Sequence, residues 1–116
     1  MISIIRGTTQ SLFITITDEA GEIYKLQNGD VLRFGIKRSW QDTDYDVHKE
    51  ITSDNLQDDG YIIALAPEDT LNLPAENYYF DVGLQTADGG YYMVIPCSRC
   101  VIMPAITSKT SKEATQ

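Results

Sequence analysis

In PEDTLNLPAENYYFDV, residues Pro67–Val82, prolines, carboxylates and tyrosines crowd together, and the run can be read as chemistry or as a corner between strands. Proline cannot donate to a sheet ladder, so Pro67 ends the strand before it. PEDTLNL then has the makings of a single helical turn: proline pre-sets the first helical position, and Glu68 and Asp69 suit a helix N-terminus. Leu71 and Leu73 are placed to plug one end of a core. LPAENYYFDV reads as the corner where a sandwich chain crosses between sheets, with Tyr78 as the tyrosine whose hydroxyl bonds the backbone a few residues upstream. As chemistry, Glu68, Asp69 and Glu76 would need one carboxyl at raised pKa in a cleft beside an ionised partner. Carboxylates in a turn between strands are ordinarily solvated or capping, which favours the corner.

Strand signals recur on both sides of this corner. SLFITIT (Ser11–Thr17) points Leu12, Ile14 and Ile16 one way and Phe13, Thr15 and Thr17 the other, the alternation of a half-buried strand. After the turn DEAGE, EIYKL is a further expected strand, and the Asn28-Gly29 pair marks a tight turn. VLRFGIKR turns Leu32, Phe34 and Ile36 inward against Arg33 and Lys37. VHKEI and YIIAL follow, separated by the loop TSDNLQDDG. YYFDVGLQT places Tyr78, Phe80, Val82 and Leu84 on one face and Tyr79, Asp81 and Gln85 on the other. ADGG leads into YYMVIP, and a last strand is expected at about Arg99–Met103. No segment keeps a helical period, so the expected fold is all-β: an immunoglobulin-like antiparallel β-sandwich of seven or eight strands over residues 1–107, with 108–116 as a polar, disordered tail.

The chain has 116 residues, enough for one core, and its 42% hydrophobic content is ordinary for a folded domain. Its net charge of -8 disfavours nucleic acid and anionic membrane surfaces as partners. The apolar runs are far shorter than the roughly 20 residues that span a bilayer. MISIIRGTTQ shows no signal-peptide pattern, which points to synthesis in a cytoplasm.

Four constellations invite a chemical reading. Cys97 and Cys100 form a C-x-x-C pair, but a structural zinc site needs four ligands and a redox dithiol opens a helix, whereas CSRCVIM runs into a strand pattern. Reduced structural cysteines are the expectation, with a functional role as the alternative. Asp42, Asp44 and Asp46 have calcium-loop spacing, yet Val47 and Ser53 stand where that pattern requires Gly and Glu. An acidic solvent loop is expected. His48 should face outward with Glu50, and no nucleophile can be assigned beside it. Trp40, Tyr45, Tyr79 and one of Tyr91 and Tyr92 are expected to be exposed, either as a recognition surface for proteins or sugars or simply because sheet faces favour tyrosine.

IIRGTTQSLFITITDEAGEIYKL, PEDTLNLPAENYYFDVGLQTADGG and IMPAIT together resemble the small Ig-like domains at the N-termini of tail, baseplate and fibre proteins of phages and prophages of Gram-positive bacteria, upper baseplate proteins above all. The resemblance runs from about Ile2 to Thr107. It implies structural roles for Arg6-Gly7, the PEDT turn and Tyr78, and no catalytic residue, metal or cofactor. It also implies a non-enzymatic virion module, assembled in the bacterial cytoplasm, that oligomerises and binds other phage structural proteins through a sheet face or an edge such as Ser3-Ile4. The alternative is a carbohydrate-binding module that takes a cell-surface glycan on Trp40, Tyr45 and Tyr79.

Overall fold

The structure is a computed structural model that describes residues 2–107; the expected polar tail lies outside the described residues. Two sheets face each other. The larger is built from β1 (Ile2–Ile5), β3 (Val31–Lys37), β4 (Val47–Ile51), β7 (Asn77–Gln85) and β8 (Tyr91–Met103), in the order β1-β8-β7-β3-β4. The smaller has the order β2-β6-β5, from β2 (Gln10–Ile14), β5 (Leu56–Gln57) and β6 (Gly60–Leu65). The eight strands make the expected sandwich.

Alternation builds the core. Leu32, Phe34 and Ile36 of β3 and Tyr78, Phe80, Val82 and Leu84 of β7 are all buried, facing Ile14, Tyr61, Ile63 and Leu65 of the smaller sheet. The Phe34 and Phe80 rings meet tilted, their centroids 6.1 Å apart. The corner also forms as expected: α1 (Pro67–Thr70) is one helical turn, and the Tyr78 hydroxyl donates to Pro74 O at 2.7 Å. Asp69 caps that turn by accepting the Ala66 N–H at 2.7 Å, and Lys49 pairs with the same carboxylate at 2.9 Å. Thr70, fully buried, accepts the Gly7 N–H at 2.8 Å, and Arg6 Nη1 donates to Leu71 O at 2.9 Å. The turn is thereby tied to the chain between β1 and β2. Leu73 packs on the core, while Leu71 is only half-buried.

Three expectations are corrected. β1 runs parallel to β8, with Ile2 opposite Cys100, so the larger sheet is mixed rather than antiparallel. EIYKL forms no strand beyond the bridge between Thr17 and Ile23, because its side chains serve the crossing between sheets. There Leu26 is buried, its N–H bonded to the Tyr61 hydroxyl at 2.6 Å, and the Tyr24 hydroxyl donates to Asp30 at 2.6 Å. YYMVIP and the last strand are one continuous β8. Pro96 falls in a bulge between the pairs Val82–Ile95 and Phe80–Ser98, where no ladder bond is asked of it.

Candidate functional site

The outer face of the larger sheet carries two strand-interior glycines. Gly35 of β3 and Gly83 of β7 each leave a gap in the outward row, and each gap is filled by a tyrosine from elsewhere. Tyr45, from the loop between β3 and β4, lies over Gly35, where a Cβ would strike its ring; Tyr91 lies over Gly83 in the same way. The Tyr45 ring also stacks on His48, with centroids 4.6 Å apart and planes at 15°, and Lys37 Nζ sits 4.8 Å from its centroid.

The acidic stretch of the β3–β4 loop holds Tyr45 in place. Asp46 donates its N–H to Ile36 O at 2.8 Å and accepts the Arg38 N–H on its carboxylate at 2.8 Å. Asp42 accepts from Lys37 Nζ on its carbonyl at 2.8 Å and from the Ser39 N–H on its carboxylate at 3.2 Å. Asp42 and Asp46 are thus engaged in shaping the loop. Among the described residues no group of three or more His, Cys, Asp and Glu is placed to hold a metal ion.

Trp40, Tyr45, Tyr79 and Tyr91 come together around a groove of about 500 Å³, with Lys37 and Asp81 among its polar residues. Trp40 is 66% exposed, Tyr45 51% and Tyr91 53%, so three of the four rings present free surface. Asp81 sits on the β7 side of the bulge, in the register position opposite Gly35. Its carboxylate accepts no hydrogen bond from any described residue; burial pushes its pKa up, and Lys37 draws it partly back. The Tyr91 hydroxyl is raised too, by burial first and then by Asp81 and Tyr45. A half-buried acceptor without a donor, walled by aromatic rings, can accept from a ligand hydroxyl or amine at little further desolvation cost.

The other sequence candidates lie outside this arrangement or only border it. Of Tyr91 and Tyr92, Tyr91 is the one on the outer face. Ser3 is exposed on the edge strand β1, but Ile4 is fully buried, so its side chain belongs to the core and β1 can offer a partner only backbone and its outward residues. Asp69 is the cap of α1, and Glu76 lies 3.8 Å from Arg38 at the corner. Cys97 and Cys100 are free thiols: Cys97 is exposed at the groove margin, while Cys100 is buried, its pKa pushed up to about 11 by that burial. Sequence reasoning missed Lys37, Asp81 and the two glycines as site residues. The available signal was a glycine at an outward position of an alternating strand, which marks close approach of another group. Searched against family models, curated proteins and solved structures, the chain matches none.

Proposed function

We propose that this protein is a saccharide-binding module whose site is the aromatic groove over Gly35 and Gly83. The observation that carries the reading is the convergence of Trp40, Tyr45, Tyr79 and Tyr91 around the Asp81 carboxylate, which feels the Lys37 charge but accepts no hydrogen bond from the described residues. Aromatic faces offer flat apolar area at low entropic cost to the C–H faces of sugar rings, and the polar groups beside them fix orientation through hydroxyls. Asp81 accepts from such hydroxyls and Lys37 donates to ring or hydroxyl oxygens. With a net charge of -8, the protein favours neutral or amino sugars over uronic or sialic acids.

Binding without turnover is the better-supported mode. Two-carboxylate glycoside hydrolysis needs a second carboxyl about 5–9.5 Å from the first, and Asp81 is the one carboxylate among the described residues that line the groove. In the phage or prophage module that the sequence resembles, this groove would hold a cell-surface glycan; that setting rests on the resemblance.

A glycan array probed with wild type and with Tyr45→Ala tests the proposal. The expected result is binding to a narrow set of neutral or amino glycans, weakened about tenfold, ~1.4 kcal/mol, in the variant. No binding by wild type, or equal binding by both proteins, counts against it.

A further inference from the structure

A second feature lies on the edge of the larger sheet. β7 pairs along β8 from Val101 to Tyr91, but β1 covers the other side only from Cys100 to Met103. That leaves Tyr91–Arg99 uncovered on that side, and Pro96, with no N–H to offer, bounds an open ladder at Tyr91–Ile95. Across from it, β2 is likewise an edge strand of the smaller sheet, and its ladder with β6 ends at Ile14. Between this stretch of β8 and the segment Thr15–Glu19 that follows β2 lies a slot of about 430 Å³, lined by Ile16, Leu84, Tyr92, Met93 and Val94. Tyr92 is 60% and Met93 48% exposed there, so apolar surface and unpaired backbone coincide.

We propose that this slot binds an extended segment of a partner protein by strand addition to the Tyr91–Ile95 edge. Backbone bonds to β8 supply affinity, and alternate side chains of the segment reach Ile16, Leu84, Tyr92 and Val94. The rim selects charge: Asp18 and Glu19 border the slot in a protein already strongly acidic, so the segment carries Lys or Arg at the end that meets them. The occupant is therefore a basic-ended strand of alternating apolar residues. The same acidic rim on two copies disfavours a second molecule of this chain. The inference stands apart from the saccharide reading, since slot and groove are lined by different residues.

The test is selection from a displayed library of random linear peptides against the full chain, followed by titration of the enriched peptides. Enriched peptides should alternate apolar residues and end in Lys or Arg, and binding should slow amide exchange across Tyr91–Ile95 at least tenfold. Tyr92→Lys, which sets a charge on the edge, should weaken them at least tenfold. Should that variant not fold, Glu19→Lys, on an exposed loop, should weaken basic-ended peptides selectively. The proposal is overturned if no such peptide is enriched or if the variants bind as wild type does. A concentration-dependent dimer that peptide cannot displace also overturns it, and assigns the slot to a second copy.

Discussion

Asp30 is a buried carboxylate that accepts three hydrogen bonds: from the Tyr24 hydroxyl at 2.6 Å, the Gln27 N–H at 2.9 Å and the Ala87 N–H at 2.9 Å. Burial alone would raise its pKa, but those donors outweigh it and hold the carboxyl below its ordinary value. Its proton partner Tyr24 moves the other way, to about 12, first because of that hydrogen bond. Asp30→Asn should cost about 2–3 kcal/mol at pH 7, the size of lost charged hydrogen bonds. The sign with pH follows from the lowered folded pKa. Asp30 adds stability that is fully present above the unfolded value of about 3.9 and is lost as pH falls through the folded value. Urea unfolding of wild type and Asp30→Asn should therefore differ at pH 7 and converge at strongly acid pH. Asp81 has the opposite sign: its raised pKa makes ionisation a cost to the fold, present above the folded value and gone at acid pH. Asp81→Asn should accordingly raise Tm at neutral pH while weakening saccharide binding, the trade expected where a site holds an unsatisfied group. Neither role was visible in sequence, because nothing in QNGD or YYFDV says which donors a distant hairpin or groove will bring.

At the scale of elements, the alternating strands were legible because one buried face per strand leaves a period-2 pattern: VLRFGIKR, YIIAL and YYFDVGLQT bury the residues that their alternation points inward. The corner was legible for a local reason as well, since proline, acidic first turn and tyrosine all lie within Pro67–Tyr78. EIYKL misled because alternation also suits a crossing segment, in which Leu26 enters the core while Tyr24 reaches Asp30. β8 was read as two strands because a proline ordinarily demotes a run, and the bulge that accommodates Pro96 depends on its neighbour β7. The parallel β1–β8 pair is likewise a long-range choice. The clasp between α1 and the turn after β1, in which the Thr70 hydroxyl accepts the buried Gly7 N–H, ties the end of β1 to the corner. Thr70→Val keeps the shape and removes that acceptor, so it should cost about 1–3 kcal/mol, measured by chemical denaturation.

For the molecule as a whole, the groove exists only through register. Gly35 is opposite Asp81 and Gly83 opposite Arg33 on neighbouring strands, so the two gaps and the carboxylate fall together on one face. Trp40 and Tyr45 were legible as exposed aromatics, whereas Tyr79, expected exposed, is half-buried in the groove wall, and the convergence of the three was not legible. Gly35→Ala separates site from fold: the added Cβ strikes the Tyr45 ring, so stability should change by less than about 1 kcal/mol while binding weakens about tenfold, as in Tyr45→Ala. Trp40 is the only tryptophan in the chain and lines the groove, so its emission reports occupancy without a label. The decisive measurement is a titration of wild type and Gly35→Ala with soluble oligosaccharides of neutral hexoses and N-acetylhexosamines, followed by Trp40 fluorescence. A saturable change with at least one sugar in wild type, shifted to about tenfold higher concentration in Gly35→Ala, is the predicted result. No saturable change with any of them, or the same curve for both proteins, would contradict a saccharide site in this groove.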